Sequence, residues 1–233
     1  MFKDRGAACL IMIGLAFSFK LQTLFILPFV LMLWLKRESV KLVHFLWIPA
    51  IYVIMQIPAA IMGRDFGELL TVYFGQGSAY TYSSLNFPNI YYLLDESMAV
   101  CHNPSEVSNC GLYVSIALFG LVTYYIYTKR FRFTNDIKLL LAIFTAGLAV
   151  YTLPHMHERY GFLFDALTIV YVAIKPKKIV LWLCTVVSTL AAYSMYLYGY
   201  QIIDYRYVSL LNLGMLVYVG RELYREIQKE AVS

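Results

Sequence analysis

Ile137-Lys138-Leu139-Leu140-Leu141-Ala142-Ile143-Phe144-Thr145-Ala146-Gly147-Leu148-Ala149-Val150-Tyr151-Thr152-Leu153 is an apolar run broken by one cation near its start. It meets a short polar stretch, Pro154-His155-Met156-His157-Glu158-Arg159-Tyr160, beyond which the sequence is apolar again as far as Ile174. A run of about 20 apolar residues is what a helix needs to cross the hydrocarbon core of a bilayer. The polar stretch then becomes a connection between two buried segments. Nowhere else in the chain are two imidazoles, a carboxylate and a guanidinium set so tightly against hydrophobic sequence.

Composition extends this reading to the whole chain. Hydrophobic residues make up 61% of the 233 positions and charged residues 14%, against about 45–50% and about 25% in a soluble domain. The expectation is an all-α, polytopic transmembrane helical bundle. At about 20 residues per crossing there is room for roughly seven or eight spans. A membrane β-barrel would show short alternating strands, whereas the apolar runs here are continuous. The basic start, Met1-Phe2-Lys3-Asp4-Arg5, is followed by no small-residue cleavage site, so it reads as a retained helix rather than a leader. The chain is expected to form one membrane domain, with no soluble arm for nucleic acid.

Apolar segments fall near 6–19, 21–35, 42–62, 111–128, 137–153, 160–174, 179–199 and 207–221. Sorting the 19 Lys and Arg residues by the connections between these segments puts 15 on one side and 4 on the other. The minority are Lys20, Arg64, Arg159 and Arg206. Basic residues accumulate in cytoplasmic connections, so a cell-membrane protein with both termini in the cytoplasm is expected. Segment 6–19 is short, some 21 Å of helix at 1.5 Å per residue against a core of about 30 Å. Reading 6–35 as one span would bury Lys20 in mid-membrane, so a hairpin turning near Lys20 is expected instead.

The long connection, 63–110, falls on the external side. Within it Phe66, Leu69, Leu70, Tyr73 and Phe74 recur with helical spacing behind Asp65 and Glu68, the pattern of an amphipathic helix lying on the outer leaflet. Leu85 to Tyr92 reads as an ordered loop and turn. Cys101 and Cys110 share the connection and either form a bridge or remain two thiols; Cys9 and Cys184 fall in apolar segments.

The polar residues within apolar surroundings are the candidates for chemistry. Glu158 and Asp165 are seven apart and would share a helical face if the helix began near Pro154. Asp165 could instead pair with a neighbouring helix. His155 and His157 have the His-x-His spacing of some metal sites with Glu158 as a third ligand, but that signal is weak; hydrogen bonding or proton transfer suits them better, and a plain polar loop is the other reading. No cofactor is expected. Arg159 suits a phosphate group or lipid head groups. Lys20, followed by Gln22, either meets a phosphate or snorkels to the interface. P-loop, Ser–His–Asp, Cys-x-x-Cys and dinucleotide-binding patterns are absent from the sequence.

Three stretches taken together carry a resemblance. They are Gly14-Leu15-Ala16-Phe17-Ser18-Phe19-Lys20-Leu21-Gln22, Gly63-Arg64-Asp65-Phe66-Gly67-Glu68-Leu69-Leu70 with Tyr73 and Gln76, and Pro154 to Tyr160 with Asp165. In order and spacing they resemble bacterial integral-membrane glycosyltransferases of the GT-C superfamily, nearest to those related to the second mannosyltransferase of glycosylphosphatidylinositol-anchor synthesis. The resemblance implies transfer of a sugar from a polyprenyl-phosphate carrier to an extracytoplasmic acceptor. It implies that Lys20 and Gln22 lie near the donor phosphate, that Arg64 opens the amphipathic helix beside the site, and that His155, His157, Glu158, Arg159, Tyr160 and Asp165 line the donor pocket. Such enzymes carry their catalytic acid in a first external loop after a first long helix. Here only Asp4 precedes Lys20, so the expectation is a C-terminal portion lacking that acid, with no catalytic residue named. The competing classes are a multi-pass transporter or lipid flippase, and a non-catalytic membrane scaffold.

Overall fold

A computed structural model describes residues 5–73, 82–94 and 104–231. The described structure is helical apart from two paired extended stretches of two residues each. It divides into two compact units, 1–80 and 81–233.

In the first unit helix α1 (Gly6–Phe19) packs along α3 (Trp47–Ile61). Gly14 makes the approach possible: a Cβ there would sit 3.0 Å from the Ile51 side chain and 3.1 Å from the Trp47 carbonyl oxygen. Small residues at such crossings let helix backbones come close where apolar surroundings supply no hydrophobic drive. The helix stops at Lys20, whose backbone is extended, and a 3-10 turn over Leu21–Ile26 leads into α2 (Leu27–Leu35). The chain has then doubled back, because Ser39 reaches the first residue of α1 and a Cβ on Gly6 would strike its carbonyl oxygen. The break expected near Lys20 is therefore present, and it is made by one extended residue followed by a tight turn.

Beyond α3, Gly63 takes a left-handed conformation (φ 91°), which glycine adopts at no steric cost. Asp65 then caps α4 (Phe66–Thr71), its Oδ1 accepting from the Glu68 amide at 2.8 Å. The amphipathic pattern extends through Phe74, but the helix itself is only six residues long. Tyr52 donates to the Leu69 carbonyl at 3.0 Å and Tyr73 to that of Phe17 at 2.8 Å. These phenols tie α4 and the residues after it to α3 and α1.

The second unit, which includes the single helical turn α5 (Tyr91–Leu94), is built around one helix. α7 (Asn135–Thr152) is apolar on every face, as a helix surrounded by others must be, and 83% of it is buried. Around it stand α6 (Pro104–Thr128), α8 (Phe162–Ile174) and α10 (Tyr205–Lys229), and α9 (Ile179–Tyr198) packs on α8 and α10. Gly147 sits where three helices meet, with Phe164 of α8 and Leu216 of α10 filling the space a side chain would take. α10 runs eight residues past the expected end at 221, because Leu223 and Ile227 continue its buried face while Glu222 and Glu226 hold Lys178, Arg225 and Lys229.

Among the described residues four helices are long and apolar enough to cross a membrane: Leu42–Ile61, Glu106–Thr128, Asn135–Thr152 and Pro176–Tyr198. The 14-residue α1 and the 15 residues of Leu21–Leu35 are apolar but shorter. Only 6% of the Leu42–Ile61 span and 11% of Glu106–Thr128 are buried. Contiguous apolar surface of that extent asks for an apolar solvent, which for helices of this length is lipid.

Two glycine substitutions should part in sign. In Gly147→Ala the new Cβ would lie 2.8 Å from the Phe164 ring, whereas at Gly120 nothing lies within 4 Å. Overpacking of this kind costs about 1–3 kcal/mol, and replacing an open helical glycine gains up to about 1 kcal/mol. Thermal unfolding of the detergent-solubilised chain should show a lower Tm for Gly147→Ala and an equal or higher one for Gly120→Ala.

Candidate functional site

The polar stretch is placed by a loop that sequence periodicity does not reveal. β1 (Ser84–Leu85) pairs in parallel with β2 (Met156–His157), Ser84 opposite Met156 and Leu85 opposite His157. Beyond β1 the loop runs inward. The Ile90 amide donates to the Tyr151 carbonyl and the Tyr91 hydroxyl to that of Thr152, both at 3.1 Å. Carbonyls at a helix C-terminus lack intrahelical donors, so the loop completes the end of α7. From the other side Ser209 of α10 donates to the Asn89 carbonyl at 2.6 Å, and Asn212 to that of Pro88 at 2.7 Å. Phe87, Asn89, Tyr91 and Tyr92 are all buried. Irregular backbone survives at membrane depth only where protein groups satisfy it, and Ser209 and Asn212 do so.

Pro154 ends α7, since the residue before proline is driven out of helical geometry; Leu153 is extended. His155 follows in a left-handed conformation (φ 61°). Its amide donates to the Ser83 carbonyl at 2.9 Å and its Nδ1 lies 2.6 Å from the Tyr82 carbonyl. A carbonyl oxygen can only accept, so Nδ1 carries a proton. His155 thus fastens the polar stretch to the loop.

The next three side chains form the compact part of the site. Glu158 is buried, at 6% exposure. Arg159 Nη1 donates to its Oε1 at 3.3 Å, and His157 Nδ1 lies 3.7 Å from its Oε2. The His157 and Tyr160 rings meet edge to face, with centroids 5.1 Å apart, and the Arg159 guanidinium stands 5.9 Å from the Tyr160 ring centroid. Burial and then the Arg159 charge hold the His157 pKa below its usual value, with Glu158 pulling the other way. The imidazole is accordingly neutral near neutral pH. The Arg159 side chain remains 46% exposed. A guanidinium has five N–H donors, and the Glu158 contact engages one nitrogen.

The condition for a shared Glu158–Asp165 face is not met. The helix does not begin near Pro154: His155 is left-handed, residues 156 and 157 are extended, 158–161 form a 3-10 turn and α8 starts at Phe162. Glu158 and Asp165 are therefore not on one continuous helical face. Asp165 accepts from the Thr189 hydroxyl of α9 at 2.6 Å, and Thr168 and Thr185 meet at 3.4 Å further along the same seam. Its described partner is thus a neighbouring helix. The His-x-His spacing gathers no ligand set either, since among the described residues no three His, Cys, Asp or Glu side chains converge.

Lys20, Gln22 and Arg64 belong to the first unit. Lys20 is exposed at the break after α1, Gln22 is half-buried in the 3-10 turn, and Arg64 is exposed between Gly63 and the Asp65 cap. Gln76 and Cys101 lie outside the described residues, and Cys110 is an exposed free thiol. Sequence reasoning missed Ser209, Asn212, Tyr82 and Ser83. The first two did carry a signal, being polar residues three apart within an apolar helix.

Comparison with known proteins found no matching family model, no matching curated protein and no matching solved structure.

The His157 environment makes a signed prediction. A histidine whose folded pKa lies below the unfolded value of about 6.5 adds stability that is full above that pH and declines as pH falls through it towards the folded pKa. NMR titration of the imidazole should give a midpoint below 6.5, raised by Arg159→Ala and lowered further by Glu158→Gln. His157→Gln should flatten the loss of stability between pH 7 and the folded pKa.

Proposed function

We propose that this chain belongs to a membrane glycosyltransferase that takes a sugar, mannose by resemblance, from a polyprenyl-phosphate carrier and gives it to an acceptor outside the cytoplasm. The observation that carries the reading is the half-exposed Arg159 fixed upon the buried Glu158. The bundle would cross the bilayer seven or eight times with both termini in the cytoplasm, which puts the Pro154–Tyr160 connection at the outer surface.

In such a transfer an acceptor hydroxyl attacks the anomeric carbon as the bond from that carbon to the phosphate oxygen breaks. The proton goes to a general base and the departing lipid phosphate gains charge. Arg159 is the group suited to meet that charge, because its fork matches two phosphate oxygens at once. Glu158 holds the guanidinium in position, so less conformational freedom is lost when phosphate binds. In this reading neutral His157 and the Tyr160 ring form the remaining wall beside Arg159. For the first unit by itself, the resemblance gives Lys20, with Gln22, a role toward a carrier phosphate and Arg64 that of a flanking cation. His155 acts indirectly, by tethering the wall to the loop. Asp165 supports the wall through Thr189. The general base is not assigned to a residue of this chain.

The support is chemical and rests on the sequence resemblance together with the Arg159–Glu158 geometry. Membranes containing the chain should retain radiolabelled polyprenyl-phosphate sugar. A hydrogen bond between charged groups is worth about 1.5–3 kcal/mol, so Arg159→Ala should weaken retention by roughly ten- to a hundredfold. Lys20→Ala should weaken it less, since a lysine acts on phosphate as a point charge. Undiminished retention in both variants would remove these cations from the site.

A further inference from the structure

We infer that the turn joining α2 to α3 forms a second, separate binding site, for the headgroup of an anionic phospholipid. A cleft of about 790 Å³ opens between the start of α1 and the residues after α2. Arg5, Arg37 and Lys41 line it against one carboxylate, Glu38. Three cations less one anion leaves an excess of two positive charges. Among the described residues no carboxylate forms an ion pair with Arg5, Arg37 or Lys41. The cleft at the far end of α10 is different, because there each of the four cations Lys175, Lys178, Arg225 and Lys229 is ion-paired to one of the three carboxylates Asp136, Glu222 and Glu226, which leaves an excess of one.

Arg37 adds an independent sign. It stands at φ 54°, where its amide closes the end of α2 on the Trp34 carbonyl. That left-handed position after a helix is the one glycine fills most cheaply, and a residue with a Cβ there carries strain of order 1 kcal/mol. Arginine at this position places a guanidinium on the cleft where glycine would place nothing.

The rim of the cleft distinguishes a lipid from a free anion. Leu42 lines it at 65% exposure, and Leu46, one turn on, is 67% exposed. Both lie at the start of the Leu42–Ile61 span. A ligand with a phosphate beside a hydrocarbon chain satisfies both surfaces at once. The charge asymmetry of the connections puts this turn on the cytoplasmic side, the leaflet where anionic lipids create a negative surface potential.

The test is lipid titration of the full detergent-solubilised chain, followed by native mass spectrometry and thermal unfolding, with phosphatidylglycerol, phosphatidylcholine and inorganic phosphate as separate ligands. Phosphatidylglycerol should bind more tightly than phosphatidylcholine, and inorganic phosphate should not displace it. Arg37→Gly should weaken phosphatidylglycerol roughly fivefold, from about 1 kcal/mol per cation, while the lipid-free protein unfolds at an equal or higher temperature. Removing all three cations as Arg5→Gln, Arg37→Gly and Lys41→Gln should cost on the order of a hundredfold. Arg225→Gln with Lys229→Gln, in the ion-paired cleft, should leave binding unchanged. Equal binding of the two lipids, displacement by inorganic phosphate, or undiminished binding in the triple variant would each overturn the assignment.

Discussion

The second unit depends on a seam between an irregular loop and the end of its central helix. Ile90 and Tyr91 supply donors to the Tyr151 and Thr152 carbonyls, and Ser209 and Asn212 supply donors to the loop's own carbonyls at Asn89 and Pro88. In an apolar interior each of these groups would cost about 1–3 kcal/mol if left without a partner. The loop and the two helices therefore stand or fall together. The polar stretch after Pro154 inherits its position from this seam, because Ser84–Leu85 pairs with Met156–His157 and His155 is bonded to Tyr82 and Ser83.

From that tether follows the division of labour among the polar side chains. His155 is committed to holding the chain in place, and Asp165 to the α8–α9 seam through Thr189. What remains available to a ligand is Arg159, braced by Glu158 and flanked by His157 and Tyr160. A braced guanidinium next to a neutral imidazole suits the proposed phosphate-binding wall better than it suits an acid–base pair. The depressed His157 pKa points the same way, since the Arg159 charge opposes a second cation beside it.

Much of the helical framework was legible in the sequence, and for local reasons. The break at Lys20 followed from a segment too short to span and a cation too costly to bury, and the Asp65 cap was legible in the acidic first turn it shares with Glu68. The central helix over 135–152 announced itself as an apolar run over 137–153 with one cation near its start. The condition for a shared Glu158–Asp165 face, a helix running on from Pro154, fails because of distant contacts: His155 turns left-handed and pairs with residues some seventy positions earlier. The end of α10 was misread for a different reason. Its last turns look too charged for a span, but Leu223 and Ile227 keep the apolar period and the charges pair with one another. The sequence resemblance named Arg159 and Glu158 as a pair of interest, and only side-chain geometry distinguishes the brace from the ligand-facing group.

The claim on which the rest turns is that the 82–94 loop is seated in the bundle and fixes the polar stretch. Amide hydrogen exchange of the full chain in lipid nanodiscs measures it directly. The Ile90 and His155 amides should be protected in the native protein, and in Asn212→Leu both should lose protection while amides across Leu140–Ala149 keep theirs. Rapid exchange at Ile90 and His155 in the native protein, or protection unchanged by Asn212→Leu, would contradict it.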